Sequence, residues 1–201
     1  MSKKPEPSPV RVRLATHAGS WYSHDEKELN NELAGWLDAA KNNDMQEKQP
    51  SIRAIIGPHA GFRYSGPTAG YAYHHLLDLD RIKRTDEIGV GASGCAVSTA
   101  HEYETPLGNI AIDHEVNKKL VDSGKFATMS MDVDEDEHSI EMHLPFIFKV
   151  MNGRKFTAVP LLVGKTKSNM DQEYGKILAP YFEKDENLFV ISSDFCHWGP
   201  R

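Results

Sequence analysis

The chain has 201 residues, 39% hydrophobic and 26% charged, with 29 Asp and Glu against 23 Lys and Arg. A net charge of −6 excludes the basic surface that non-specific nucleic-acid binding needs, and no apolar run approaches the ~20 residues that span a bilayer. Two cysteines, Cys95 and Cys196, exclude a disulfide framework; with no signal-peptide stretch in Met1–Pro7 they point to the cytoplasm, with the nucleus as a second compartment.

Residues 1–13, rich in Pro, Lys and Arg, read as a flexible tail, and residues 14–201 as a single α/β domain with a sizeable core. Ser23 and Glu26 form a capping box, after which Leu29, Leu33, Trp36, Leu37 and Ala40 recur at helical spacing. That helix is expected to end near Ala40, and polar Lys41–Pro50 to be a linker. Arg53–Gly57 reads as a buried strand, Pro58–Gly61 as a turn, and Ser65-Gly66-Pro67 as the start of a helix carrying Ala69, Ala72, Tyr73, Leu76 and Leu77. Asp113–Ser123 is a short helix stopped by Gly124. Ile140, Leu144, Ile147 and Met151 mark another, which Pro145 bends or restarts. Phe156–Val163 is a strand, Ser168 to about Glu183 a helix, and Leu188–Ile191 a last apolar strand. Strands alternating with helices predict a parallel or mixed sheet covered on both faces.

Gly89-Val90-Gly91-Ala92-Ser93-Gly94 matches the dinucleotide fingerprint by letter. That loop works only between a buried strand and a helix, and neither polar Arg84–Glu87 nor Cys95–Ala100 reads as one, so the match is a decoy. Ser192–Gly199 is the strongest candidate site, because Asp194, Cys196 and His197 directly follow an apolar strand. His59 follows another, so parallel strands would bring His59, Asp194 and His197 to one sheet edge. Two histidines and a carboxylate are the ligand set of non-haem iron sites; the bland alternative is polar residues capping strand ends. In Asp134–His143 the acids read as complements to a helix dipole, and His138 and Glu141, three apart, as an oriented acid–base pair on one helix face. Met142 breaks the His-x-x-Glu-His metalloprotease pattern. Cys196 lies beside Asp194, which disfavours its thiolate, so a nucleophilic role is weak. The motif His17-Ala18-Gly19-x-x-Tyr22 echoes His59-Ala60-Gly61-x-x-Tyr64.

Thr16–Tyr22, Pro58–Phe62, Asp134–Pro145 and Ser192–Gly199, in that order, resemble the Memo family, named for mediating ErbB-driven cell motility. The resemblance implies a three-layer α/β/α sandwich around a mixed sheet, like the class III extradiol (LigB-like) dioxygenases. It implies a pocket that holds iron or copper, and partners in receptor tyrosine kinase and cytoskeletal signalling. His59 matches a metal ligand, with Asp194 beside the site; His197 matches the acid–base position of the dioxygenase relatives; Trp21 lines the pocket together with His138, Glu141 and Cys196. Thr85–Ala92 stands where the family has an apolar strand ending in Gly-Pro-Ser-His-His, and the chain lacks the family's C-terminal third with its Cys ligand. The expectation is therefore a truncated member: a non-enzymatic adaptor with a vestigial pocket that binds iron or copper weakly. A metal-dependent redox enzyme and a non-functional isoform are the alternatives. Thr85–Ala100 is expected to be irregular, leaving neighbouring strands uncovered.

Overall fold

The computed structural model describes residues 9–43, 52–77, 79–151 and 153–195. The stretch read as a tail contains strand β1 (Val12–Arg13). Helix α1 (Glu26–Asn43) buries Leu29, Leu33, Leu37 and Ala40 along one stripe. Its cap is Asp25 rather than Ser23: the Asp25 carboxylate accepts the Glu28 N–H at 2.8 Å, while Ser23 Oγ accepts from the Asp25 N–H. The helix also runs past Ala40 to Asn43, into the segment read as a linker; residues 44–51 lie outside the description.

Strand β2 (Ala54–Gly57) leads into α2 (Phe62–Tyr73), which continues as a 3-10 turn over His74–Leu76. The helix starts ahead of Ser65-Gly66-Pro67, because the Gly61 carbonyl already accepts the Tyr64 and Ser65 N–H groups and Phe62 is buried. Next come β3 (Arg84–Ser93), β4 (Cys95–Val97), β5 (Glu102–Tyr103) and β6 (Ile110–Ala111). Asp113 caps α3 (His114–Asp122) by accepting the Val116 N–H, and β7 (Phe126–Thr128) follows. The acids expected to precede a helix instead form one, α4 (Met131–Asp136), capped by Ser130. A 3-10 turn over Glu141–His143 then gives way to α5 (Leu144–Met151), with Pro145 in its first turn, where its missing N–H costs nothing. Strand β8 (Thr157–Lys165), helix α6 (Ser168–Phe182) and strand β9 (Asn187–Ser192) complete the described chain.

Six strands form one mixed sheet in the order β2-β9-β3-β8-β4-β7, parallel throughout except for the antiparallel β4–β8 pair. A small second sheet has the order β1-β5-β6. Helices α1, α2 and α5 cover one face of the large sheet, packing on Ile55, Leu188 and Val190. The other face carries α3 and α6 over Cys95, Val97, Val159 and Leu161. The result is the sandwich of three layers that the resemblance implies.

Strand β3 overturns the expectation for Thr85–Ala100. It lies at the centre of the sheet, with Thr85–Ile88 in register with Leu188–Ile191 of β9 on one side and Ala158–Leu161 of β8 on the other. Backbone pairing on both sides, together with the apolar neighbours, outweighs the polar side chains of the segment. Nor is β9 uncovered, since it sits between β2 and β3. Gly89 and Gly91 fall within β3 and Gly94 joins it to β4, so a strand rather than a helix follows the fingerprint-like glycines and no phosphate loop forms.

Candidate functional site

The apolar run Ala54-Ile55-Ile56 makes β2 a strand, and Pro58 ends it, delivering His59 to the sheet's carboxyl edge. The parallel neighbour β9 ends at Ser192 and delivers Asp194 to the same edge. The two loops are laced together: the His59 N–H donates to Asp194 Oδ1 at 2.9 Å, and the Ser193 N–H to the Gly57 carbonyl at 2.9 Å. His59 Nδ1 lies 2.7 Å from Ser192 Oγ, which itself donates to the Ser139 carbonyl at 2.7 Å. Since the hydroxyl hydrogen is committed to that carbonyl, Nδ1 is the donor to Oγ, which leaves Nε2 as the ring's other nitrogen. Asp194 Oδ2 stands 3.7 Å from that Nε2.

Around this pair lies a pocket of about 250 Å³ lined by Trp21, His59, Ala60, Gly61, His138 and Asp194. His138 is its middle ring, tilted against Trp21 at 4.7 Å and edge-on to His59 at 5.5 Å between centroids. The Phe62 N–H donates to the Trp21 carbonyl at 2.9 Å, which ties the Trp21 loop to the start of α2.

Glu141 does not pair with His138 as its spacing suggested. The Glu141 carboxylate instead turns into the protein, fully buried, toward Arg13. It accepts from Arg13 Nη1 at 2.5 Å, Tyr22 Oη at 2.8 Å and the His17 N–H at 3.0 Å, and His17 Nδ1 lies 2.8 Å from its Oε2. Burial alone would raise its pKa; the Arg13 guanidinium and the hydrogen bonds from His17 and Tyr22 outweigh it and hold the group below the ordinary carboxylate range. An ionised carboxylate only accepts, so His17 carries a hydrogen on Nδ1. The His17 ring lies 5.6 Å from Trp21 and 5.8 Å from His138, extending the ring cluster away from His59. Arg13 is pinned further by the Asp134 and Glu137 carbonyls.

Below the pocket floor, His143 is buried, with Nδ1 2.6 Å from Tyr73 Oη, and burial pushes its pKa down to about 3, so it is neutral. Its ring fills the space where a side chain on residue 57 would sit: a Cβ on Gly57 would come within 2.9 Å of His143 Cε1.

Of the residues singled out from sequence, Trp21, His59, His138 and Asp194 meet in one pocket, and Glu141 stands behind it. Cys196 and His197 lie outside the described residues. Among the described residues no group of three or more His, Cys, Asp or Glu side chains converges as a metal site; His59 and Asp194 stand together as two possible donors. Sequence reasoning missed Arg13, His17 and His143, and gave Ser192 no role of its own within the candidate stretch. The signal for His17 was present in the repeated His-Ala-Gly-x-x-Tyr motif, whose two histidines both end within 6 Å of His138.

A family model described as Memo-like protein matches residues 13–201. The chain is 45% identical over 194 residues to "Protein memo-1 homolog" of Caenorhabditis elegans, covering 94% of this chain and 54% of that protein. It is 46% identical over 195 residues to "Protein MEMO1" of Danio rerio and 45% identical over 198 residues to that of Homo sapiens. These alignments cover 94% and 96% of this chain and 64% and 65% of the relatives, so the chain spans between half and two thirds of their length.

Proposed function

Because the chain belongs to the Memo family, we propose that it is a non-enzymatic adaptor in receptor-linked motility and cytoskeletal signalling, with its pocket serving recognition. The observation that carries this reading is the pocket itself: a small recess walled by Trp21 and His138 and closed by the His59–Asp194 pair. Such a recess has the size and aromatic wall to seat one side chain of a partner protein, and Trp is the residue type most often found to anchor interfaces. Its partners on this reading are proteins of receptor tyrosine kinase complexes, met in the cytoplasm. No helix among the described residues is long and apolar enough to cross a membrane.

The test restores the chain to cells lacking their own Memo-family protein and measures receptor-stimulated migration alongside co-precipitation of receptor complexes. Wild type should rescue both, and Trp21→Ala should rescue neither at equal protein level; Trp21 is 37% exposed, so its truncation spares the core. A well-expressed wild-type chain that restores neither property would refute the adaptor reading and favour a non-functional isoform.

A metal-dependent redox enzyme is the second reading, favoured by the His59–Asp194 pair at the carboxyl edge of parallel strands. With two described donors, the chain should bind iron or copper weakly. Titration of the purified protein with either ion should give no tight stoichiometric step. Tight 1:1 binding lost in His59→Ala would instead establish a complete site and revive the enzyme.

A further inference from the structure

A second cleft lies at the opposite edge of the same sheet. It encloses about 490 Å³, within the range of small-molecule sites, where β3 and β8 begin rather than end. Its apolar wall is Ile110, Phe148 and Phe156, and its charged groups are Lys83, Arg154 and Lys155. Among the described residues no carboxylate lines it, although Asp and Glu outnumber Lys and Arg over the whole chain.

Both halves are held in place. A Cβ on Gly108, whose φ is +138°, would come within 2.7 Å of Phe148 Cζ, so a glycine here lets the aromatic wall lie directly on backbone. The Arg154 guanidinium donates to the Met151, Val150 and Leu79 carbonyls at 2.9, 2.5 and 2.5 Å. A guanidinium has five N–H donors, so after these bonds donors remain for a ligand, on a cation already immobilised. The carboxylate nearest it among the described residues, Asp80 at 3.7 Å, is 95% exposed and screened by solvent. Lys83 and Lys155 are exposed and have no carboxylate partner among the described residues.

A preordered aromatic wall beside three cations is complementary to a molecule that is apolar at one end and negative at the other. We propose that this cleft binds a small soluble amphiphilic anion, a single phosphate or carboxylate headgroup on a ring or short alkyl body. The apolar body lies against Phe148 and Phe156, and the headgroup accepts from Arg154 with Lys83 and Lys155 beside it. The site is independent of the adaptor pocket.

Isothermal titration with octyl phosphate tests this, with inorganic phosphate and 1-octanol as the two halves of the probe. Octyl phosphate should bind 1:1, each half at least tenfold more weakly, and the affinity should fall as salt rises. Lys83→Glu with Lys155→Glu should weaken binding at least tenfold while leaving the thermal transition in place, since both side chains are exposed. A matched reversal on α1, Lys27→Glu with Lys41→Glu, should change nothing. The proposal is overturned if octyl phosphate does not saturate, if either half binds as well as the whole, or if both charge reversals act alike. Co-sedimentation with vesicles containing phosphatidic acid, without binding of free octyl phosphate, would also overturn it, by making a lipid surface the ligand.

Discussion

Arg13 shows how much of this molecule hangs on single side chains. It sits at 1% exposure, with its guanidinium shared among Glu141 and the carbonyls of Leu14, Asp134 and Glu137. Replacing it with Met leaves the Glu141 carboxylate buried without its cation, a loss of about 3–5 kcal/mol by the usual cost of orphaning a buried charge. Urea denaturation of Arg13→Met against wild type measures it. Because the folded pKa of Glu141 lies below its ordinary value of 4.5, its contribution is complete above that value and is lost as pH falls through the folded one. Glu141→Gln should leave the fold more intact than Arg13→Met but release the His17 tautomer. Nitrogen-15 NMR of the imidazole should report the hydrogen on Nδ1 in wild type and a mixture in the variant; an unchanged tautomer would show that Glu141 does not orient the ring. His59 and Asp194 were legible because each directly follows an apolar strand. The partner of Glu141 was not, because Arg13 is 128 residues away and nearness in sequence pointed to His138 instead.

The element that sequence reading misjudged is β3, and its polar residues explain both the error and a testable property. A strand is read from alternating or continuous apolar residues, and Arg84-Thr85-Asp86-Glu87 offers neither. Yet Asp86 and Glu87 are 2% and 1% exposed, and burial pushes the pKa of each up to about 7. For each acid the folded pKa exceeds the unfolded one. The folded state therefore holds protons that the unfolded state has released, and stability falls as pH rises from about 4.5 to 7, with the full penalty above 7. Neutral His143 acts in the opposite sense below its ordinary value of 6.5, since only the unfolded chain gains that proton. Two acids against one histidine leave a net fall in stability between about pH 5 and 7. Glu87→Gln should remove part of that slope and stabilise the protein by about 2–3 kcal/mol at pH 8, where the acid is charged. Equilibrium unfolding at pH 5.5 and pH 8 decides it; equal midpoints in wild type would show that the acids are solvated in the native state. The apolar helices and strands, by contrast, were legible to within a few residues. Their ends moved where a cap such as Asp25 or an early carbonyl such as that of Gly61 competed with the expected start.

At the scale of the molecule, the sheet joins two unlike edges, the ring-lined pocket where β2 and β9 end and the basic cleft where β3 and β8 begin. Central pairing of β3 predicts that amides 85–88 exchange with solvent among the slowest in the chain; early exchange there would restore the picture of a disrupted segment. The order of the strands also has a consequence in time. Strand β2 is followed in sequence by seven described strands, yet its neighbour in the sheet is the last of them, and His59 waits for Asp194 across 135 residues. At about 5–20 residues per second of synthesis, roughly 7–27 s separate the two. Throughout that interval the nascent chain carries Ala54–Gly57 with an unmatched ladder of amides and carbonyls, so the pocket is assembled last, and holding chaperones have their window before β9 emerges.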